Sequence, residues 1–436
     1  MMNYKRLLFC AYVAVVVFST SSVYMINSSD FSRAIFPFMD AVKSFRVDIP
    51  LHYDIKPSFS SISSYQYISS YSYMMYAIVY VISLITKIFD LQIFSAALKI
   101  VFIISLYHLF IKLSQRESFS SVLVFILLSI IVVSSSNLAM FSSFYQEQVI
   151  LIFIPLICLY ITGNDNRSIF FVFIGIVVVS CAKSQFFYAP VVAFLSYLLF
   201  NRDRIWLKSG LLALSLVLSV TCIVFSSGAT SFNKYHANFY GVYLYAKEHN
   251  IELDSTIDKS CIGIDAWGNR FDLDKGAVST DIGTRCYDEN KSSSFSDAIG
   301  FVIKNPSFLL SLPFDVGMRS QYTEDYFHVF KSIQLVRDDN SISGNITHIK
   351  DYLFKDVRFI ILAILLATSV IIRKRHEMAT LFFSSCFGVT QLYIAFMGEG
   401  YRDLSKHLFG MNFSFDLSIF IILSIVFGRF YKKSAL

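Results

Sequence analysis

The chain has 436 residues, 55% of them hydrophobic and only 16% charged, with a mean hydropathy of +0.57. Such values exclude a soluble enzyme of this length and describe a protein that threads a membrane many times. The net charge of +6 is no sign of nucleic-acid binding, because the basic residues gather at the ends of apolar segments. Phe (45) and Tyr (26) are plentiful while Gly (17) and Pro (7) are scarce, which suits packed helices with aromatic girdles better than a transporter core of broken helices.

Apolar stretches run over 7–25, 71–89, 94–113, 119–138, 148–163, 168–182, 185–200, 209–227, 356–372, 378–397 and 412–428. The first follows Lys5 and Arg6 without a small-residue cleavage site and reads as a signal anchor. Eleven crossings would put the termini on opposite sides. Yet the basic groups Lys5/Arg6, Lys112/Arg116, Arg167, Arg202/Arg204/Lys208, Arg373/Lys374/Arg375 and Arg429/Lys432/Lys433 all belong on the cytoplasmic side by the positive-inside rule. One early stretch must then fail to cross. The best choice is 71–89, which follows the Tyr/Ser-rich run 63–73 and reads as an interfacial or re-entrant helix.

The expectation is an all-α polytopic membrane protein of about ten spans plus that one helix. It divides into 1–227, a membrane core with a first outer loop (26–93); 228–355, a large outer loop; and 356–436, C-terminal helices with the loop 398–411. The short loop 141–148 and the tight turn Lys183-Ser184-Gln185 face the same side. No internal repeat is evident, which weakens a transporter reading. Five cysteines lie in apolar segments and read as packing residues, whereas Cys261 and Cys286 share the large loop, where a disulfide is expected if it faces an oxidising compartment. No Cys/His spacing suggests a metal site.

Polar residues on the outer face carry any chemistry. Asp30, a few residues past the first span, suits a general base at a membrane surface, though an acid there would equally cap a short helix. Glu147, with Tyr145 and Gln146, opens a helix and could form a sugar platform of ring and amide, or supply a favourable acid at a helix N-terminus. Lys183 sits between two apolar helices, where a charge is costly, and suits a phosphate partner; snorkelling is the alternative. In Glu399, Arg402, Asp403, Lys406 and His407, one helical turn would present Arg402 and Lys406 together to a phosphate, unless the acids neutralise them. Arg33, Lys43, Arg46 and Lys56 read as solvated or lipid-facing.

Several long strings carry a resemblance. They are Ser29-Asp30-Phe31, Asp48-Ile49-Pro50, the run from Ser64 to Met74, Met140 to Gln148, Asn233-Lys234-Tyr235-His236-Ala237, Asp265-Ala266-Trp267-Gly268-Asn269, and Gly398 to Met411. Over essentially its whole length the chain resembles the prophage-encoded, serotype-converting O-antigen glucosyltransferases of enterobacteria, the Gtr type. The resemblance implies an inner-membrane enzyme of the GT-C class. Such an enzyme moves glucose from undecaprenyl-phosphate glucose to a sugar of the lipid-linked O-antigen repeat on the periplasmic side. It also implies a first-loop carboxylate as base, and a glucosyl-lipid flippase and a cytoplasmic-face donor synthase as partners. No nucleotide or tightly bound cofactor is needed, because the donor is already activated, and nothing in the sequence demands a divalent metal. Asp30 is the expected base, with Asp40, Asp48, Asp54 and Glu147 as alternatives, and Asp30 and Glu147 are the candidate catalytic residues. Arg402 and Lys406, with Lys183 as a further candidate, are expected to offset charge on the departing phosphate. The rival readings are an O-antigen polymerase and a lipid-linked sugar flippase or transporter.

Overall fold

The computed structural model describes residues 4–434 except 29, 41–48, 50, 66, 267–279, 328–332, 339 and 374. Asp48, Lys43, Arg46 and Trp267 therefore lie outside the described residues. In chain order the helices are α1 Tyr4–Ser19, α2 Phe31–Ile35, α3 Ser70–Ser83, α4 Leu91–Ser114, α5 Phe119–Ser129, α6 Ser135–Leu138 and α7 Gln148–Tyr160. There follow α8 Asn166–Ala182, α9 Ala189–Phe200, α10 Ile205–Phe225, α11 Ser227–Ala237, α12 Tyr243–Glu248, α13 Thr280–Glu289 and α14 Phe295–Lys304. The last are α15 Phe308–Ser311, α16 Val316–Arg319, α17 Ile342–Phe354, α18 Arg358–Ile371, α19 Met378–Glu399, α20 Leu404–His407 and α21 Phe409–Ser434.

Among the described residues four helices are long and apolar enough to cross a membrane: α4, α10, α19 and the Phe409–Phe430 part of α21. Five shorter apolar segments accompany them: α5, α7, α8, Ser184–Phe200 and α18. The chain is an α-helical membrane protein. The all-α expectation overlooked two small antiparallel ladders. β1 (Tyr24–Met25) pairs with β4 (Val336–Arg337), and β2 (His52–Asp54) with β3 (Ile88–Asp90). The first ties the loop before Asp30 to the end of the large loop, and the second closes the first loop on itself.

Capping residues set several helix starts. Asp90, Ser118, Asp165 and Ser341 each accept a first-turn amide at the head of α4, α5, α8 and α17. The stretch 119–138 is not one continuous helix. Helix α5 ends at Ser129 and the chain turns through Ser134-Ser135-Ser136-Asn137, where Asn137 donates to Val132 O at 3.0 Å and Ser134 bonds Ser136 at 2.9 Å. Such side chains offer the backbone alternatives to the helix ladder. Helix α3 has 14 residues, about 21 Å at 1.5 Å per residue, against ~30 Å of hydrocarbon.

The main core joins α4, α5, α7, α8, α9, α19 and α21 through buried Phe, Ile, Leu and Val side chains. A second core packs α12, α14 and α15 of the large loop onto α19 and α21. A third surrounds the disulfide Cys261–Cys286, whose Cα atoms are 5.5 Å apart. Gly400 makes the joint between α19 and α20 possible. Its φ is +60°, and a Cβ there would stand 2.3 Å from Tyr240 O.

Candidate functional site

The first loop, the α7 and α8 ends, the large loop and the 399–407 turn converge on one network of charges. Asp30 starts α2, but its side chain makes no capping bond. Asn27 Oδ1 takes the Phe31 amide instead, at 3.3 Å. The Asp30 carboxylate is thereby free to pair with Arg33, one turn on, and with Lys406 Nζ at 2.8 Å. Lys406 also reaches Ser28 Oγ (3.2 Å) and Asp403 (3.5 Å) and lies 5.4 Å from the Tyr145 ring centre. Arg33, expected to be solvated or lipid-facing, is a member of the site instead. Its guanidinium lies 5.1 Å from the Tyr67 ring centre, because the Asp30 charge and that ring offer it more than water does.

Lys183 pairs with Glu147 at 2.5 Å, and both are buried. Glu147 stands at the head of α7 without capping it, so the lysine rather than the helix end holds this acid. Tyr145 offers no open sugar platform. Its ring is buried, and its hydroxyl accepts the Ser28 amide at 2.9 Å and lies 2.8 Å from both Ile26 O, to which it donates, and Ser28 Oγ. It pins the loop that carries Asp30. Gln146 is buried, with no partner for its Nε2.

The expected pairing of Arg402 with Lys406 on one helical face does not form. The turn of helix is Leu404–His407, so Arg402 precedes it, and each cation meets its own acids. Arg402 Nε is 2.8 Å from Asp265 and its Nη1 3.8 Å from Glu399. His236 bridges the same two acids, 3.2 Å from Asp265 and 3.5 Å from Glu399. His407 Nδ1 is 3.0 Å from Gln185 Oε1, and its Nε2 is 3.9 Å from Glu399. His236 and Asp265 were not singled out as site residues, although both lie within the strings that carry the resemblance.

The electrostatics follow from burial set against these pairs. Burial alone would raise the Asp30 pKa, but Arg33, Lys406 and Lys183 outweigh it and hold the carboxyl well below its usual range. Burial would lower Lys406, and Asp30 and Asp403 raise it instead. Asp403, on the same turn, is pushed up by burial despite Lys406 and Arg402. Burial and then Lys183 keep His407 neutral, whereas the bonds of His236 to Asp265 and Glu399 overcome its burial and raise it. A narrow cleft of about 20 Å³ lies beside this network, lined by Tyr67, Lys183, Ser184, Ser226, Thr230 and Asn233 among others. Among the described residues, Asp258, Cys261 and Glu289 approach to within 4.8 Å, but the disulfide commits the Cys261 sulfur.

A second charged cluster, not anticipated from sequence, is sealed inside the protein. Arg358 binds Glu324 (2.7 Å) and Asp351 (3.0 Å); Lys350 binds Glu324 (2.8 Å) and also Asp416, which Asn137 meets at 2.8 Å. Lys99 is likewise buried in α4, donating to Thr20 O at 2.7 Å.

The family described as the YfdI N-terminal transmembrane domain matches residues 16–435. The protein YfdI of Escherichia coli (strain K12) is 41% identical over 430 residues, which cover 99% of this chain and 97% of that protein. No solved structure matches the chain.

Proposed function

The chain belongs to the family of the YfdI N-terminal transmembrane domain, and we propose that it is a membrane glucosyltransferase of the GT-C class. It takes glucose from undecaprenyl-phosphate glucose and adds it to a sugar of the lipid-linked O-antigen repeat. The site faces the periplasm from a bacterial inner membrane, with about ten helices crossing and α3 lying at the interface. A flippase delivers the donor after a cytoplasmic-face synthase has made it.

In this reading Asp30 accepts the proton of an acceptor hydroxyl as that oxygen attacks the anomeric carbon. The bond from that carbon to the phosphate oxygen breaks, with inversion, and the polyprenyl phosphate leaves against Lys406, Arg33 and Lys183. Arg402 is tied to Asp265 and Glu399, and its role is to hold the large loop over the site. Asp30 with Arg33 and Lys406 on either side is a weak base as it stands. A donor phosphate that draws those cations to itself restores basicity to Asp30 at the moment the acceptor is attacked.

The observation that carries the proposal is the convergence of Asp30, Lys406, Arg33, Lys183 and Glu147 in one network at the helix ends away from Arg202, Arg204 and Arg375. The test is O-antigen composition by mass spectrometry in a strain that makes undecaprenyl-phosphate glucose. Wild-type protein adds one hexose per repeat, and Asp30→Asn, present in the membrane at equal level, does not. Unchanged repeat mass with altered chain length would replace this reading by a polymerase. Hexose added by both proteins would keep the transferase and move the base to another carboxylate.

A further inference from the structure

Helix α17 lies in the stretch that the sequence assigns to a large aqueous loop, and its two faces are reversed. A helix on a soluble protein buries its apolar stripe and shows its polar residues to water. In α17 the buried residues are Ser343, Gly344, Thr347 and Lys350. The exposed ones include Ile342 (74%), Ile349 (58%), Tyr352 (91%) and Leu353 (56%). These apolar positions recur at i, i+7, i+10 and i+11, which is one face. Water beside that face would be unfavourable by the full burial value of four large side chains.

The depth of the helix points the same way. Lys350 reaches Asp416. Asp416 is seven residues into α21, so it lies about 10 Å below the end of that helix nearest the site. The next helix, α18, starts at the same level, with Arg358 bonded to Asn412 at 3.1 Å and 5.5 Å from the Phe415 ring centre. Its 14 residues extend about 21 Å, which matches the ~20 Å of a ~30 Å hydrocarbon layer that remains below that level. Past the exposed Asp356–Arg319 ion pair, the outward apolar surface resumes at Val357 and continues through Ile360 and Ile364 of α18.

We propose that α17 is a membrane-embedded half-helix. Its Ile342, Ile349, Tyr352 and Leu353 face rests on lipid acyl chains, and its polar face is held inward by Lys350 on Glu324 and Asp416. The occupant of the face is the lipid itself. Asn345 and His348 of α17 are also exposed; the outward apolar positions of α18 that follow argue for lipid over a protein partner. The reading stands apart from the glucosyltransferase proposal, since it concerns how the chain sits in the bilayer and holds for any activity.

The test places a single tryptophan on the face. Tyr352→Trp and, separately, Ile349→Trp are made in full-length protein carrying Trp206→Phe and Trp267→Phe. Each is reconstituted in phosphatidylcholine vesicles with or without chains brominated near the carbonyl end. Ile364→Trp on α18 is the lipid-facing reference, and Lys291→Trp, at an exposed position, is the aqueous one. The expected result is loss of fluorescence in brominated lipid as large as that of Ile364→Trp, with little quenching by iodide. Quenching by iodide to the level of Lys291→Trp, without a bromolipid effect, would overturn the proposal and return α17 to water. Resistance to both quenchers would overturn it in favour of a protein partner, including a second copy of the chain.

Discussion

Replacing Lys406 by Gln removes the cation 2.8 Å from Asp30 while leaving Arg33 in place. At that distance and an effective dielectric constant of about 20, the pair energy has a ceiling of about 6 kcal/mol. The remaining arginine and partial exposure reduce what is realised, and the Asp30 pKa rises back toward its usual range. The sign is fixed by the direction of the present shift. A carboxyl held below its usual value is fully ionised above that value, and its contribution to stability and to base catalysis fades only as pH falls through the depressed pKa. Wild-type transfer should therefore show no acid limb between pH 5 and 8, set as an assay range of roughly three units around neutrality. In Lys406→Gln the acid limb moves up. Transfer on the plateau falls by about 10²–10³-fold, since the departing phosphate has lost a donor, and Lys406→Arg restores part of it. The assay is transfer of labelled glucose from purified polyprenyl-phosphate glucose to lipid-linked repeats in nanodiscs. A Lys406→Gln protein that folds normally and transfers glucose at the wild-type rate with an unmoved pH profile would refute the reasoning.

Two further outcomes concern stability. Reducing Cys261–Cys286, or replacing both cysteines by Ser, opens a loop of 25 residues' separation; loop-closure entropy sets the loss at about 3.5 kcal/mol for the cap, read as earlier proteolysis in the 250–290 region with the membrane helices intact. Arg358→Met leaves Glu324 and Asp351 without their guanidinium and should cost about 3–5 kcal/mol, read as a lower unfolding temperature in detergent; adding Glu324→Gln should recover part of that loss, and an undiminished loss in the double variant would show that the arginine acts by packing alone.

The sequence made the site visible where polar residues interrupt long apolar runs. Asp30, Glu147, Lys183 and Lys406 each stand in a short break whose neighbours cannot explain a charge. Arg33 was misread because its surroundings in sequence, a polar loop with other cations, are the same for a solvated arginine and a buried one; only Tyr67 and Asp30 folding over it decide. The cluster of Glu324, Lys350, Arg358 and Asp416 was illegible for a different reason. Its members are spread over α17, α18, α21 and the loop before them, and no spacing along the chain signals a contact formed by packing. Helix α17 escaped notice because its composition is mixed, and hydropathy averages over both faces of a helix. The break in 119–138 had a local signal, three consecutive serines and an asparagine, which a window average hides.

The two clusters also separate chemistry from architecture. In the sealed cluster, Arg358, Glu324, Lys350 and Asp416 have side chains 0–4% exposed, and the groups that neutralise them come from packed helices. A substrate reaching them would have to displace α17 or α21. In the outer network Lys406, Lys183 and Glu147 are nearly as buried as the sealed cluster, but Arg33 is 27% exposed and Asp30, Glu399 and Arg402 14–15%. Buried polar atoms without partners, Gln146 Nε2 and Gln185 Nε2, sit among the same residues. A transporter needs a polar path that continues from one face to the other. Among the described residues Glu324, Lys350, Arg358 and Asp416 satisfy one another inside the helices, Lys99 is held by the Thr20 carbonyl, and no charged path joins them to the outer network. That division favours a reaction at a membrane surface over passage through the membrane. It also makes a distinction that mutation can test: Arg358→Met should lower protein yield in step with activity, whereas Lys406→Gln should lower activity at constant yield.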